Sequence, residues 1–378
     1  MGRQMGAQDE LRLVAFEVTR RCRFSCRHCR AASPEATQAG GAGDAQEMEL
    51  TTEQCKKILK AVADFTGGPT SGGQGCVIIL TGGEPMERGD IYELIGYGRR
   101  IGLRMVSATC GYTISDQTAR KLKEAGLTAI SISLDGATVG THDEFRRTPG
   151  AFDAAIGAAK AARKAGIRFQ INTTITKDNI AEVPAIAKLA EELGAYCFNP
   201  FILVPTGRGR EIADQIVEPA KYERLLEDLV ELKMRSVVEM RVTCGPQFAR
   251  VYEQTVSARQ ITPITNHQSS IINFPVGCMG GRGFGFISYR GDVQTCGFLD
   301  VSAGNLVENG YDFAKIWIGS PFLNEIRDCS AYKGACVVCG YVTSCGGCRA
   351  RAYAMTGDYM ESDPICRLVA LRMVQGGR

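Results

Sequence analysis

Apolar, strand-like runs alternate with amphipathic, helix-like runs through the first two thirds of the chain, and this alternation constrains the fold most strongly. The strand-like runs are β-branched and almost continuously apolar, which is typical of parallel strands covered on both faces. They are Leu11–Thr19, Cys76–Thr81, Leu103–Thr109, Thr128–Leu134, Arg168–Ile175 and Ala195–Val204. The helix-like runs are Thr52–Phe65, Asp90–Ile101, Ser115–Ala125, Ala151–Ala165, Asn179–Leu193 and Pro219–Met234.

Six strand–helix units in series predict an α/β fold, a partial (β/α)6 barrel over residues 11–245. In such a barrel the catalytic residues lie at the C-terminal ends of the strands. A chain of 378 residues is also long enough for a second, smaller domain. We expect a polar tail at 1–10, a bridge with weak periodicity at 246–276 and a small cysteine-rich domain at 277–378.

Composition limits the partners and the cellular setting. A formal net charge of +3 is too small to indicate nucleic-acid or membrane-surface binding. No run approaches about 20 apolar residues, and the first ten residues lack an apolar signal core. We therefore expect a cytoplasmic monomer without a membrane partner. In that compartment sixteen cysteines are more typical of metal sites than of disulfides, and exposed clusters would require an oxygen-poor setting.

Three cysteines follow the first strand at a C-x3-C-x2-C spacing, namely Cys22, Cys26 and Cys29. A structural zinc ion would need a fourth ligand nearby, and the next cysteine is Cys55. A [4Fe–4S] cluster held by three thiolates keeps one iron open for a small molecule, and ferredoxins use a related spacing. The spacing favours the cluster, while zinc and unrelated thiols remain alternatives.

The second strand ends in a glycine-rich turn made of Thr81, Gly82, Gly83, Glu84 and Pro85. Two glycines allow the backbone to approach a ligand closely, and a carboxylate accepts hydrogen bonds from an ammonium group. Alone, the same residues are also typical of an ordinary turn.

Other polar residues stand at later strand ends. Ser133 and Asp135 alternate with apolar residues at the end of the fourth strand, which would point them into the barrel. The Asp135-Gly136 pair is equally typical of a turn with a helix cap. Thr109 ends the third strand, and Asn172 and Thr174 are weaker candidates on the fifth.

A second group of cysteines occupies the last quarter of the chain. Paired short spacings with glycines between them indicate metal binding, with zinc ribbons as the alternative. The members are Cys278, Cys296, Cys336, Cys339, Cys345, Cys348 and Cys366.

The first cysteine loop, with the aromatic His28 before its third cysteine, resembles the radical SAM superfamily. The resemblance implies that the open iron chelates S-adenosylmethionine and that the turn of Gly82, Gly83, Glu84 and Pro85 holds its amino group. It also implies further cofactor contacts, to the ribose and adenine, from Thr109, Ser133, Asp135, Asn172 and Leu203. Where the family often has Thr-Asn-Gly, this chain has Thr109-Cys110-Gly111.

The second group of cysteines is similar to the SPASM extension of radical SAM enzymes, which implies two auxiliary [4Fe–4S] clusters. The outer cluster would be held by Cys336, Cys339, Cys345 and Cys366, and the inner one by Cys278, Cys296 and Cys348. The x2 gap between Cys345 and Cys348 departs from the common x3. No cysteine shortly precedes Cys278, so the fourth inner position would fall to Cys329 or Cys244, or stay open to substrate.

Longer stretches resemble the tetrapyrrole-modifying group, and within it the AdoMet-dependent heme synthases of the siroheme-dependent route. The stretches include Leu203–Gly209 and Cys345–Cys366. This resemblance implies oxidative decarboxylation of two propionates of Fe-coproporphyrin III to the vinyl groups of heme b, through a 5′-deoxyadenosyl radical. It also implies a low-potential electron donor such as flavodoxin or ferredoxin.

An anionic porphyrin needs cations, and arginine forks to carboxylates. The candidates are Arg208, Arg147, Arg282 and Arg349, with Arg210 and Arg351 as further possibilities. His142 or His267 would ligate the substrate iron if either is not structural, and residues 280–285 either approach a flat macrocycle or begin a β-hairpin. The alternatives are didecarboxysiroheme deacetylase, heme d1 maturase, a peptide maturase and a non-catalytic iron–sulfur sensor.

Overall fold

The computed structural model describes residues 11–31, 49–67, 75–259 and 277–376. The strands are β1 (Leu13–Thr19), β2 (Val77–Gly82), β3 (Arg104–Thr109), β4 (Ala129–Ser133), β5 (Arg168–Ile175), β6 (Cys197–Ile202), β7 (Glu239–Met240), β8 (Phe284–Ile287), β9 (Asp292–Gln294) and β10 (Gly304–Asn305). The helices are α1 (Thr52–Phe65), α2 (Ile91–Arg100), α3 (Asp116–Ala125), α4 (Val139–Arg146), α5 (Ala151–Lys164), α6 (Val183–Leu193), α7 (Pro219–Arg235), α8 (Gln247–Ala258), α9 (Phe313–Gly319), α10 (Pro321–Arg327), α11 (Val342–Cys345), α12 (Arg349–Thr356) and α13 (Arg367–Gly376).

All ten strands belong to one sheet, in the spatial order β10-β9-β8-β1-β2-β3-β4-β5-β6-β7. Strands β1 to β7 are parallel neighbours in chain order, and at least one helix lies between each consecutive pair. Each crossover connection returns the chain to the same edge of the sheet, so all seven strands run in one direction. Their carboxyl ends therefore lie together at the opposite edge. The predicted α/β architecture of six strand–helix units is confirmed.

The C-terminal segment extends the sheet beyond β1. Strand β8 runs parallel to β1 and is paired antiparallel with β9. Gly291, with φ +93°, lies in the turn between β8 and β9. Trp317 of α9 covers β8 at Gly285, where an added Cβ would lie 2.9 Å from the indole ring. Of the two alternatives for residues 280–285, the structure therefore shows the hairpin.

Local sequence explains where several barrel helices begin and end. Thr51 caps α1 in a reciprocal arrangement with Gln54, so two orphan amides of the first turn are satisfied. Ser115 accepts from the Thr118 amide at 3.1 Å, and Gly126 ends α3 in the left-handed conformation. The core lies between these helices and the sheet, where Phe16, Leu80, Phe169 and Phe198 are almost fully buried.

Helices α4 and α8 fall where none was predicted, and so do the short helices α9 to α13 of the cysteine-rich segment. Helix α4 contains Gly140 and Thr141, both poor helix formers, and two of its three buried residues are polar, so apolar periodicity is weak. Helix α8 lies within the segment interpreted as a bridge. The tail 1–10, residues 260–276 of the bridge and His267 lie outside the described residues, and the domain boundaries stay a prediction. Among the described helices, none is long and apolar enough to cross a membrane.

Candidate functional site

The polar residues singled out in the sequence gather at the carboxyl edge of the parallel sheet. Thr19, Gly82, Thr109 and Ser133 end β1, β2, β3 and β4. The cysteine loop follows β1 directly, so its thiols stand over the edge where ligands bind in folds of this type.

Backbone hydrogen bonds fasten the cysteine loop to two other strand–helix connections. The Arg27 amide donates to Phe145 O at 3.1 Å, at the end of α4. Beyond β6, Arg208 donates its amide to Cys29 O and its Nε to Cys26 O, both at 3.0 Å. The loop is thus held in place by residues far away in sequence. The amide and Nε of Arg208 are therefore already engaged by the loop, and the rest of its guanidinium is not.

His28 packs its imidazole on Phe145, with ring centroids 4.6 Å apart and planes 15° apart. Burial, together with nearby Arg146 and Arg208, lowers the pKa of His28 well below its ordinary value, so the ring is neutral. Its contribution to the loop is apolar stacking.

The three thiols have different surroundings. The neighbouring Cys110 thiol lowers the pKa of Cys22 to about 7. Burial raises the pKa of Cys26, although the guanidinium of Arg146 opposes the rise. Arg146 Nη1 lies 3.5 Å from Cys26 Sγ. A cation beside this sulfur favours a thiolate, which is the form that ligates iron.

Arg146 was missed by the sequence analysis, which chose its neighbour Arg147. Arg146 is buried and paired with the equally buried Asp135, whereas Arg147 is about half exposed at the end of α4, 3.8 Å from Glu211. His142 and Arg146 are four residues apart and so share a helix face. That spacing would have identified Arg146 had α4 been recognised.

Gly82 and Gly83, at the end of β2, let one backbone segment lie directly on another. A Cβ on Gly83 would lie 2.6 Å from Arg20 O and closer still to Arg21 O. The amide of Gly83 donates to Thr19 O at 2.9 Å, and that of Glu84 donates to Arg21 O at 2.7 Å. This turn therefore positions the start of the cysteine loop, and any larger residue would displace it.

Glu84 is fully buried among donors from the end of β3. Its carboxylate accepts from Thr109 Oγ1 at 2.8 and 2.9 Å, from the Cys110 amide at 2.9 Å and from Cys110 Sγ at 3.0 Å. Burial raises the pKa of Glu84, and these hydrogen bonds oppose the rise. An ammonium contact by Glu84 would share the same oxygens. Cys110, noted in the sequence only as a departure, thus bridges Glu84 and Cys22.

Asp135 follows β4 and joins this strand to β5 and to helix α4. Its Oδ1 accepts from the Thr174 amide at 2.7 Å, and its own amide donates to His142 Nδ1 at 2.9 Å. Burial lowers the pKa of His142 to about 4, so this histidine is a neutral structural acceptor and does not favour iron ligation. Of the other predicted contacts, Ser133 and Asn172 are register partners that are half-buried, and Leu203 is buried.

Four cysteines of the C-terminal group surround one cavity of about 340 Å³. They are Cys336, Cys339, Cys345 and Cys366, the set assigned to the outer cluster. Arg250 also lines the cavity and pairs with Glu223 at 2.6 Å, while its buried Nε has no hydrogen-bond partner among the described residues. Four thiols with a cation on the wall fit an anionic iron–sulfur cluster.

The other three cysteines lie beside this set. The Cys278 amide donates to Cys345 O at 3.1 Å, and a Cβ on Gly280 would be 3.6 Å from Cys278 Sγ and 3.3 Å from Thr295 O. Among the described residues, no three His, Cys, Asp or Glu side chains are arranged to hold a metal ion. Sulfurs around an iron–sulfur cube stand farther apart than ligands on one ion, because the cube lies between them.

The remaining arginine candidates differ in availability. Arg349 is buried and donates to the carbonyls of Tyr359 and Glu361 at 3.2 and 2.8 Å, which does not favour a substrate contact. Arg351 is buried in an ion pair with Asp363, and Arg282 Nη2 donates to Cys329 Sγ at 3.0 Å. Arg210 is exposed.

Comparison with known proteins decides the family. The family model described as the radical SAM superfamily matches residues 16–190. The chain is 41% identical, over 357 residues, to an AdoMet-dependent heme synthase of Methanosarcina barkeri (strain Fusaro), covering 94% of this chain and 96% of that protein. The chain belongs to the radical SAM superfamily. A Fe-coproporphyrin III synthase of the same organism is 30% identical over 377 residues, covering 96% and 89%.

The radical SAM fold is also seen in solved structures. Streptococcus suis SuiB bound to S-adenosylmethionine matches with a TM-score of 0.68 at 18% identity, covering 95% of this chain and 78% of that one. The protein is therefore an enzyme of radical SAM type, and its cofactors are a [4Fe–4S] cluster and S-adenosylmethionine. The further cysteines fit auxiliary clusters.

Proposed function

We propose that this radical SAM enzyme is a heme synthase that decarboxylates two propionates of Fe-coproporphyrin III to the vinyl groups of heme b. The observation that carries the proposal is the 41% identity to a heme synthase across nearly the whole of both chains. The 30% identity to a Fe-coproporphyrin III synthase over a similar length makes the related tetrapyrrole reactions second candidates. Relatives that are themselves enzymes weigh against the sensor alternative.

The residues at the carboxyl edge fit the superfamily cofactors. Cys22, Cys26 and Cys29 would hold the cluster by three sulfurs, leaving one iron for S-adenosylmethionine. Arg146 Nε belongs to the guanidinium that reaches Cys26, and it is a buried donor without a hydrogen-bond partner among the described residues. A nearby anionic group would satisfy this donor.

When bound, the cluster and S-adenosylmethionine supply a one-electron reductive cleavage that yields an oxidant able to remove a hydrogen atom from an unactivated carbon. The chain's own residues position and shield this chemistry. The turn of Gly82 and Gly83 fixes the cysteine loop, and Arg146 offsets negative charge at Cys26. The buried network of Glu84 and Thr109 keeps water from the base of the site.

The electron balance of the proposed reaction gives the second cysteine group a role. Each propionate loses one hydrogen atom from its β carbon, one CO2 and one electron as its side chain becomes vinyl. Two rounds release two electrons, which need an acceptor outside the porphyrin. The outer set of Cys336, Cys339, Cys345 and Cys366 would hold a cluster that carries electrons away. The electron required for cleavage would come from a flavodoxin or ferredoxin.

Substrate recognition is proposed for the arginines that remain available. Arg208 lies at the cysteine loop and commits its Nε to Cys26 O, which leaves the rest of its guanidinium for a propionate. Arg147 is the more exposed alternative. Arg349 is not proposed, because its environment is buried and its contacts are backbone carbonyls.

The test is an anaerobic assay with dithionite, S-adenosylmethionine and Fe-coproporphyrin III, using Cys26→Ala as the matched inactive control. The proposal predicts heme b, identified by mass, from the wild-type protein and none from the variant. Formation of 5′-deoxyadenosine without heme b, together with turnover of didecarboxysiroheme, would favour the deacetylase alternative. Absence of any 5′-deoxyadenosine would contradict radical SAM activity.

A further inference from the structure

The inner cysteine set has three members from the SPASM resemblance and a fourth thiol beside them in space. Cys244 follows β7, and its side chain packs against the small buried cluster that contains Cys348. Cys244 and Cys296 both pack against one small apolar cluster, formed by Val204, Leu299, Ile326, Cys348 and Ala350. We propose that Cys244 is the fourth ligand of the inner auxiliary cluster, which therefore has no open iron.

The backbone conformation at Cys244 is strained and is held by its surroundings. Cys244 has φ +58°, a left-handed conformation that residues with a Cβ rarely adopt. The preceding residue is fixed to β6, since the Thr243 amide donates to Pro200 O at 2.8 Å and Thr243 O accepts from the Ile202 amide at 3.0 Å. Strained conformations held by their surroundings concentrate at functional sites. Here the strained residue is Cys244, whose side chain packs against the cluster that contains the predicted ligand Cys348.

One buried ion pair holds the backbones of Cys244 and Cys348 together. Arg351 Nη2 donates to Cys244 O at 2.9 Å. Its partner, Asp363, accepts at Oδ2 from the Cys348 amide at 3.0 Å. The two cysteines are thus positioned by the same pair of charges, as expected of ligands whose orientation is set by outer contacts.

Cys329, the other candidate, is engaged elsewhere. Its thiol accepts a hydrogen bond from Arg282 Nη2 at 3.0 Å, and it lies on the short turn Cys329–Ala331. It therefore serves as the matched control for Cys244.

A cluster with four protein ligands relays electrons and does not bind substrate through iron. This role as a relay rests on the proposed function, because it assumes that the substrate gives up an electron. The ligand assignment itself holds for any radical SAM reaction that the chain performs. The experiments below need neither substrate nor cleavage of S-adenosylmethionine, so their failure is distinguishable from failure of the proposed function.

The first experiment uses a chain in which Cys22, Cys26 and Cys29 are alanine, so that only auxiliary clusters remain. This parent should retain about eight iron atoms per chain, with no [3Fe–4S] signal in electron paramagnetic resonance after mild oxidation. Introducing Cys244→Ala into this parent should produce the [3Fe–4S] signal and the loss of at least about one iron atom. Introducing Cys329→Ala should leave both the signal and the iron content as in the parent. A Cys244→Ala protein that matches the parent would overturn the assignment.

The second experiment avoids mutation and so is independent of folding defects. The reconstituted wild-type protein is alkylated with iodoacetamide before and after iron is removed by oxidation with a chelator, and labelling is read by mass spectrometry. Cys244 should be protected with iron bound and labelled after its removal, together with Cys278, Cys296 and Cys348. Labelling of Cys244 in the iron-loaded protein as fast as Cys329 would overturn the proposal.

Discussion

Arg351 and Asp363 form a buried ion pair beside Cys348 of the inner set, and Asp363 also lines the cavity of the outer set. Arg351 Nε and Nη2 lie 3.0 and 2.8 Å from the two carboxylate oxygens, and neither side chain is more than 1% exposed. The carboxylate also accepts from the Cys348 amide and from Gln247 Nε2. Burial raises the pKa of Asp363, but the contacts with Arg351 outweigh it and hold that pKa below its ordinary value.

Asp363→Asn should leave the guanidinium of Arg351 buried without its counter-charge. Breaking a buried pair in this way costs roughly 3–5 kcal/mol in the free energy of unfolding. We expect that loss in anaerobic urea denaturation, with reduced iron content. The matched control is Asp64→Asn, whose pair with Lys60 is exposed, and which should change stability by less than about 0.5 kcal/mol. Equal stability of the two variants would contradict this role of the pair.

Gly83→Ala should displace the cysteine loop. The new methyl group would collide with the carbonyls of Arg20 and Arg21, which are backbone atoms and cannot rotate away. Forcing such an atom into packed structure costs about 1–3 kcal/mol, and iron bound at the loop should fall. Gly89→Ala is the control, because nothing lies within 4 Å of its added Cβ. If both variants keep the same iron content, the turn does not position the loop.

Arg146→Met and Arg147→Met separate two adjacent arginines. The first change removes the cation beside Cys26 and leaves Asp135 buried without its partner, so cleavage of S-adenosylmethionine should slow at least about tenfold. The second removes only an exposed side chain and should leave the rate within about twofold. Initial rates of 5′-deoxyadenosine formation in the absence of Fe-coproporphyrin III measure both. Similar rates for the two variants would show that Arg146 has no special role.

The adjacent arginines show what sequence alone could and could not provide. The strands were predictable because their apolar runs are continuous, and the cysteine loop was predictable because its spacing is local. The choice between Arg146 and Arg147 depended on α4, whose weak helix formers and buried polar face hide its periodicity. Only the helix geometry turns Arg146 inward and leaves Arg147 at the exposed end.

Contacts between distant segments were the other limit. Cys244 lies near Cys348 because β7 follows β6 at the edge of the sheet and the chain returns there at the start of α12, which no local pattern encodes. Cys110 was treated as a departure from a family motif, but its thiol bridges Glu84 and Cys22. By contrast, the four cysteines that the SPASM resemblance assigns to the outer set line one cavity, and their role as ligands of one cluster stays a prediction.

Cys339→Ala should separate initiation from product formation. Cys339 lines the outer cavity, far in sequence from the loop that would start the reaction. We expect 5′-deoxyadenosine to form at a rate within about twofold of wild type, while heme b is lost because the released electrons have no exit. Cys197→Ala, which changes a buried thiol of β6, is the control and should retain product. Normal heme formation by Cys339→Ala would contradict the electron-exit role.

Isotope transfer from the substrate tests the central claim most directly. Fe-coproporphyrin III with deuterium at the β carbons of its propionates is converted under anaerobic conditions, and 5′-deoxyadenosine and heme b are analysed by mass spectrometry. The account predicts deuterium in 5′-deoxyadenosine and about two 5′-deoxyadenosines per heme b, one for each propionate that loses a hydrogen atom. Heme b formed while 5′-deoxyadenosine remains free of deuterium would contradict hydrogen abstraction from the propionates.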